Sequence, residues 1–196
     1  MLILRNIIIV TVSCLFIVSC NNTGSDSKNN LPVQDSSIIS ETNPAQNNIP
    51  ALKNEAESDS LNIEKRLNLA HAYYANEELD KAMEQFMKVY SMDNKNLNGI
   101  INIGNIYYDM GKNSEAVEFY KKALEIDKNN LNVRCDMATC IGYSGNLDEA
   151  VKLLKENIAL NNSHAQSHYN LSVFLEKTGN KEEAAKELSI FNSLNK

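Results

Sequence analysis

A period of 34 residues runs through the sequence from Ile63 onward. Four consecutive blocks begin at Ile63, Leu97, Leu131 and Ala165, and no insertion separates them. A single unit of this length cannot bury its apolar surface alone, so successive units must stack and share a continuous core. The period therefore predicts an array of stacked repeats.

Each block carries two helical patterns that combine small and large residues. In the first pattern a large residue precedes a small one, and another large residue follows one turn later. The four examples are Leu69-Ala70-x-x-Tyr73, Ile103-Gly104-x-x-Tyr107, Met137-Ala138-x-x-Ile141 and Leu171-Ser172-x-x-Leu175. In the second pattern an alanine precedes a larger residue by four positions: Ala82 and Phe86, Ala116 and Tyr120, Ala150 and Leu154, Ala184 and Leu188. The small residues predict close helix approach, and the larger ones fill the space between hairpins.

The turn between the two helices differs in the first block. Gly111, Gly145 and Gly179 occupy this turn in the later blocks, where glycine permits the positive φ that ends a helix. Glu77 stands at the equivalent place in block one. We therefore expect the first turn either to differ in conformation or to carry backbone strain.

Two polar pairs follow the glycine turns of blocks three and four. Asn146-x-x-Glu149 and Asn180-x-x-Glu183 have the spacing of an N-cap residue and its capping-box partner. We predict that each pair starts the second helix of its block.

The repeats resemble the tetratricopeptide repeat (TPR) family over about two-thirds of the chain. The resemblance implies an all-α fold, a right-handed α-solenoid whose concave side is lined by the first helix of each block. It assigns residues 59–196 to the TPR domain, with repeats at 63–96, 97–130, 131–164 and 165–196. The proline that is common near the end of a family repeat is replaced here by Asn94, Lys128 and Asn162.

The first twenty residues have the pattern of an export signal. Arg5 precedes an apolar run from Ile7 to Val18, which is too short to span a bilayer comfortably. The run ends in Ile17-Val18-Ser19-Cys20, which resembles a bacterial lipobox. The resemblance implies a signal peptide over 1–19 and a Cys20 that carries lipid.

Several alternatives to this anchor remain open at the sequence level. The segment is also compatible with an ordinary secretory signal or an uncleaved anchor, and Cys14 is a weaker second lipidation candidate. Two or more acyl chains on Cys20 would give stable attachment, because each buried methylene contributes about 0.8 kcal/mol. The expected location is the bacterial cell envelope, and Asn21 after the cysteine resembles the pattern that is passed on to the outer membrane.

The segment between the anchor and the repeats is predicted to be a disordered tether. Residues 21–50 are rich in Asn and Ser and lack helical or strand periodicity. We assign residues 20–58 to the lipidated cysteine and this tether. Within it, residues 51–58 have the pattern of a short helix in which Leu52 and Ala56 cover the first repeat.

Helical geometry nominates the residues of the concave side, which we call the groove. They lie opposite the large-small pairs, and they are rich in amides and tyrosines. The groove comprises His71, Tyr74, Asn98, Asn102, Asn105, Tyr108, Asn132, Thr139, Gln166, Tyr169 and Asn170. Amides pair with a peptide backbone and tyrosines offer apolar area with a hydroxyl, so the groove predicts a protein or peptide ligand. A plain solvated face is the alternative.

Chaperone-binding members of the family clamp a terminal carboxylate with Lys, Asn and Arg in the groove. The corresponding residues here are Leu67, His71, Asn102, Asn132 and Asp136, and only Asn102 matches. The Asp136 carboxylate would repel such a ligand. We therefore predict no carboxylate clamp.

Other kinds of site are not supported by the sequence. The net charge of −6 argues against a nucleic-acid partner. His164 and His168 share a helix face without a third metal ligand, and Cys135 and Cys140 are placed too far apart on one helix to form a disulfide. No phosphate loop, metalloprotease motif or nucleophile elbow is present. We predict no catalytic residue, no small-molecule cofactor and no metal.

The sequence therefore predicts a membrane-anchored cell-envelope adaptor or scaffold that binds an unknown protein or peptide and has no enzymatic activity. One alternative is binding of glycan or peptidoglycan in the same groove. Another is a structural lipoprotein that self-associates through its last helix, where Leu188, Phe191 and Leu194 form an apolar stripe.

Overall fold

The first helix of every block begins at the residue where the sequence period starts that block. Residues 48–196 are described by the computed structural model, and within them the chain forms nine α-helices and no strands. The helices are α1 (Ile49–Ser58), α2 (Ile63–Ala75), α3 (Leu79–Met92), α4 (Leu97–Asp109), α5 (Asn113–Ile126), α6 (Leu131–Tyr143), α7 (Leu147–Leu160), α8 (Ala165–Lys177) and α9 (Lys181–Leu194). The helices from α2 to α9 form four stacked hairpins, which confirms the predicted solenoid of four repeats.

Helix α1 corrects the predicted end of the tether at residue 58. Ile49–Ser58 is helical and packs against α2, with Ala56 buried and Leu52 on the same apolar cluster as Leu69. A helix of this length is marginal alone, so docking supplies the stability that its polar composition lacks. The folded part therefore begins at Ile49 and not at residue 59, and the short helix expected over 51–58 is present.

The predicted signal peptide, Cys20 and the tether as far as residue 47 lie outside the described residues. No helix within residues 48–196 is long and apolar enough to span a bilayer.

The first helices share one N-terminal cap. Asn62, Asn96 and Asn130 each accept a hydrogen bond at the side-chain oxygen from the backbone N–H three residues later. For α8 a histidine takes this place, and His164 Nδ1 accepts from the Ser167 N–H at 3.3 Å. A satisfied cap fixes the helix start to one residue, which is why the observed starts follow the sequence period.

The first turn carries the strain expected from its glutamate. Gly111, Gly145 and Gly179 have φ values of 73°, 99° and 83°, and Glu77 has a φ of 59°. All four turns therefore adopt the left-handed conformation, which crowds the Cβ atom of any residue except glycine. Block one keeps the geometry of the other three turns and not an alternative one.

One of the two predicted capping boxes forms and the other does not. Asn146 accepts from the Glu149 N–H at 3.3 Å and donates to Glu149 Oε2 at 2.6 Å. Asn180 starts α9 without a side-chain cap and donates to Thr178 Oγ1 at 3.0 Å. The pairing of Asn180 with Glu183 is therefore wrong, because the neighbouring threonine takes the amide.

Small residues sit where rings of the neighbouring helices approach the backbone. A Cβ atom on Gly104 would lie 2.7 Å from the Tyr120 ring, and one on Gly142 would lie 2.5 Å from the Phe174 ring. At Gly104 this bears out the close approach predicted from the large-small pairs. Gly142 makes an equivalent contact that the repeat pattern did not reveal.

The large residues of the second helices fill the space between hairpins. Phe86, Tyr120 and Leu154 are 0%, 1% and 0% exposed, because the following hairpin covers each of them. Leu188 holds the equivalent place on α9 and is 40% exposed.

Candidate functional site

The groove residues lie on α2, α4, α6 and α8, and hydrogen bonds link several of them from one helix to the next. The structure buries four of the eleven. Asn102, Asn105, Thr139 and Asn170 are 7%, 2%, 5% and 4% exposed. These side chains present little surface to a ligand, and their contacts show that they connect elements of the repeat array.

The link between α6 and α8 is made by a buried amide. Asn170 Nδ2 donates to Thr139 Oγ1 at 2.8 Å and approaches Cys135 Sγ at 3.3 Å. Gln166 Nε2 in turn donates to Asn170 Oδ1 at 2.9 Å. The amide of Asn170 is therefore engaged on both its oxygen and its nitrogen.

The link between α2 and α4 uses a histidine. His71 Nε2 lies 3.1 Å from Asn98 Oδ1, and Asn102 Nδ2 donates to the carbonyl and side-chain oxygens of Asn98 at 2.8 Å each. Burial lowers the pKa of His71, although the hydrogen bond to Asn98 opposes the shift. The imidazole is therefore neutral at pH 7 and adds no positive charge to the groove.

Two more polar contacts join neighbouring elements. Asn105 Oδ1 accepts from the Tyr120 hydroxyl at 2.8 Å, which ties α4 to its own second helix. Asn132 Oδ1 lies 2.9 Å from His164 Nε2 at the start of α8. The groove amides thus form part of the internal hydrogen-bond network, a role that their helical position alone did not reveal.

The tyrosines leave more of their surface accessible than the buried amides Asn102, Asn105 and Asn170 do. Tyr74, Tyr108 and Tyr169 are half-buried. Tyr108 lies 6.5 Å from Tyr143 between ring centroids, and Tyr169 lies 5.0 Å from Phe191. Tilted ring contacts of this kind hold each ring in place while leaving part of it open.

A carboxylate that the sequence analysis did not nominate lies beside these rings. The Tyr74 hydroxyl donates to Asp109 Oδ2 at 2.5 Å, and this bond joins α2 to α4. Burial raises the pKa of Asp109, and the bond from Tyr74 opposes that shift. Burial is also the main cause of the raised pKa of Tyr108, to which Tyr143, Cys140, Asp109 and Asp136 contribute.

Asp109 and Tyr143 share one register position, the last residue of a first helix. Asp109 and Tyr143 lie four residues after the nominated Asn105 and Thr139, and residues four apart share one helix face. Extending the nominated positions by one helical turn would have found both side chains.

His164 and His168 have structural partners within the repeat array. His168 is 3% exposed, and its ring nitrogens lie 2.5 Å from Glu187 Oε2 and 2.9 Å from the Asn162 carbonyl oxygen. Cys135 and Cys140 are free and buried, and burial raises the pKa of the Cys140 thiol to about 12. Within residues 48–196 no three potential ligands are grouped so that they could hold a metal ion.

Comparison with known families agrees with the geometry. Sequence profiles described as tetratricopeptide repeat match residues 66–96, 99–130 and 142–189. The chain belongs to the tetratricopeptide repeat family. The matched segments overlap all four observed hairpins, although they leave out residues 131–141, which form most of α6.

Solved structures with a similar fold include several of MamA. MamA from Desulfovibrio magneticus RS-1 has a TM-score of 0.70 at 12% identity, covering 76% of this chain and 85% of that one. MamA from AMB-1 has a TM-score of 0.65 at 22% identity, covering 77% of this chain and 95% of that one. These identities establish similarity of the TPR fold alone. A comparison with curated proteins finds no significant match.

Proposed function

We propose that this TPR protein is a membrane-anchored adaptor of the bacterial cell envelope that binds a protein or peptide in its groove. TPR arrays are in general non-catalytic protein-interaction modules, which supports a scaffold role. The lipobox-like Ile17-Val18-Ser19-Cys20 supports the anchor. Nothing in this proposal requires a cofactor or a metal.

The observation that carries the groove proposal is the contrast between its three buried amides and its tyrosines. Asn102, Asn105 and Asn170 are buried and bonded within the protein, so they give the surface a fixed shape. Tyr74 and Tyr108 remain half-buried on that surface. Aromatic rings on a rigid support are typical anchors of protein interfaces, because they offer contact area at little cost in side-chain entropy.

Photocrosslinking in the native cell tests the groove. A photoreactive phenylalanine analogue replaces Tyr108 in the full chain, and a matched control carries it at Met87, which is 39% exposed on α3. We expect a discrete crosslinked protein from position 108 and none of the same mass from position 87. Equal capture from both positions, or capture of peptidoglycan alone, would overturn the protein-binding proposal.

The anchor is tested separately. The full chain and its Cys20→Ala variant are expressed with a labelled fatty acid, and a Cys14→Ala variant serves as the control. We expect label in the unmodified chain and in Cys14→Ala, and none in Cys20→Ala. Label that persists without the Cys20 thiol would remove lipidation at this residue from the proposal.

A further inference from the structure

The junction between the third and fourth hairpins is hydrogen-bonded at a place where the two earlier junctions are apolar. Val89, Ala123 and Asn157 hold this place on successive second helices, and all three are fully buried. Val89 lies against the backbone of Gly99. Ala123 belongs to the apolar cluster that contains Val133. Asn157 is an amide instead, so the last junction depends on hydrogen bonds as well as on apolar contacts.

A chain of polar side chains crosses this last junction. Asn157 Nδ2 donates to the Leu131 carbonyl oxygen at 2.8 Å and to Ser167 Oγ at 2.9 Å. Ser167 Oγ lies 2.8 Å from His164 Nδ1, and His164 Nε2 lies 2.9 Å from Asn132 Oδ1. The chain therefore runs from α7 through the start of α8 to the start of α6, and His164 is one of its members.

These contacts require a neutral His164 that carries its proton on Nε2. The Ser167 N–H donates to Nδ1 at 3.3 Å, so Nδ1 must keep its lone pair. Nε2 faces the Asn132 side-chain oxygen and therefore donates. A proton on Nδ1 would turn the acceptor of the cap into a donor, and α8 would lose its N-terminal cap.

The other first helices have caps that do not titrate. Asn62, Asn96 and Asn130 start α2, α4 and α6, and each accepts the equivalent backbone hydrogen bond at an amide oxygen. Of the four first helices, α8 alone starts at a residue whose charge changes in the range near neutral pH, namely His164. Acid therefore acts on one cap of the four.

The surroundings of His164 disfavour its charged form. Burial lowers the pKa of His164 below the ordinary value of 6.5, and the charge of His168 lowers it further, although a backbone hydrogen bond opposes both effects. The Glu187 carboxylate on α9 lies 2.5 Å from His168 Nδ1 and so faces that ring. Lys155 on α7 and Glu183 on α9 pair with each other at 2.8 Å. Both ring partners of His164 are neutral, so its charged form gains no ion pair from them.

We propose that protonation of His164 in mild acid loosens the fourth hairpin, α8 and α9, from the rest of the array. Because the folded pKa is lowered, the contribution of His164 to stability is present above pH 6.5 and is lost as the pH falls through the folded value. Gln166, Tyr169 and Asn170 lie on α8, so loosening opens that end of the groove. The inference does not depend on what the groove binds.

Hydrogen exchange of the full chain in detergent micelles, at about pH 7.5 and about pH 5, tests the proposal. Each exchange rate is divided by the intrinsic rate at the same pH, so that only changes in protection remain. We expect the protection of α8 and α9 to fall about fivefold in acid, since a shift of one pKa unit changes an equilibrium about tenfold. The protection of α5, which lies outside this junction, should stay constant.

His164→Asn is the decisive variant, because it installs the cap residue of the other three first helices. We expect protection near pH 7.5 to be retained and the acid-induced loss in α8 and α9 to disappear. His71→Asn is the matched control, since it removes a histidine from α2 and leaves the last junction unchanged. This control should keep the full acid response of α8 and α9.

Nitrogen NMR of the imidazole rings in the unmodified chain checks the protonation state without any substitution. We expect His164 near pH 7.5 to be neutral with its proton on Nε2. A proton on Nδ1 at that pH, or equal loss of protection in all four hairpins, would overturn the inference. So would a loss in α8 and α9 that His164→Asn leaves intact, which would assign the effect to another group such as His168. Crosslinking from position 108 is unaffected by these outcomes and tests the groove separately.

Discussion

The terminal hairpins at the two ends of the described array are covered differently. At the N-terminal end, α1 covers the first hairpin, and the loop after it repeats the loop that joins later blocks. Asn62 N–H donates to the Asp59 carbonyl oxygen at 3.0 Å, as Asn96 N–H does to Asp93 at 3.1 Å. Helix α1 therefore stands in the place of a second helix from a preceding half-repeat. At the other end, no later helix of the described chain covers α9.

The difference shows that the contribution of a repeat residue to the free energy of unfolding depends on whether a neighbouring hairpin covers it, and not on its residue type. Leu154 and Leu188 occupy the same position in consecutive blocks, yet one is 0% and the other 40% exposed. The repeats have one pattern, while burial depends on the position of each repeat within the array. Four experiments examine this comparison, from the largest expected effect to the smallest.

Leu154→Ala should cost about 3 kcal/mol of unfolding free energy, because it removes a fully buried side chain and leaves a cavity between two hairpins. Urea unfolding followed by circular dichroism measures the loss. A cost below about 1 kcal/mol would show that the interface between the third and fourth hairpins relaxes. Burial alone would then not determine how much this residue contributes to stability.

Ala56→Asp should cost about 2 kcal/mol, since a buried charge at 2% exposure is avoided only if α1 leaves α2. Hydrogen exchange should show faster exchange in α1 and in the adjacent face of α2, with α8 and α9 unchanged. Unaltered protection in α2 would mean that α1 does not stabilise the first hairpin. Glu57→Gln, an exposed change on α1, is the control.

Glu77→Gly should stabilise the protein by about 1 kcal/mol, because it relieves a left-handed residue at a φ of 59°. The reciprocal change, Gly111→Ala, should destabilise by a similar amount, although the added methyl meets no atom within 4 Å. The midpoint of denaturant unfolding tests both variants, provided that the dependence of the unfolding free energy on denaturant concentration is unchanged. A neutral Glu77→Gly would show that the larger backbone entropy of glycine in the unfolded chain offsets the relief of strain.

Leu188→Ala should cost about 1 kcal/mol or less, the smallest effect of the four, because this leucine already contacts solvent. A cost as large as that of Leu154→Ala would mean that α9 is covered in solution. Light scattering on the same samples would identify a second copy as the cover, which is the self-associating alternative.

The sequence period predicted most of the fold, because the features that fix helix starts are local. Asn96 and Asn130 cap their helices in the register that the period gives. The period did not reveal that Asn180 bonds to Thr178 instead of Glu183, since that choice depends on the threonine at the end of α8. The start of the folded part was also misplaced, because the stability of α1 comes from contacts with α2 that its own polar sequence does not show.

The burial of the groove amides could not be predicted from the helical pattern. A helical pattern tells which side of α6 and α8 faces the concave side, but not how near the two helices lie. That distance decides whether Thr139 and Asn170 meet a ligand or each other, and they meet each other at 2.8 Å. Asp109 was missed for the opposite reason, since it lies at the end of its helix beyond the nominated positions.

The hydrogen bonds between successive first helices have a mechanical consequence. A solenoid behaves like a spring whose pitch is set by the contacts between coils, and the inner coils here are joined from His71 to Asn98 and from Thr139 to Asn170. Opening the spring would break the part-buried bond of His71 and the buried bond of Asn170, and the latter's partners find no water to replace it. The array should therefore resist bending, and the curvature of an incoming chain must already match that of the protein.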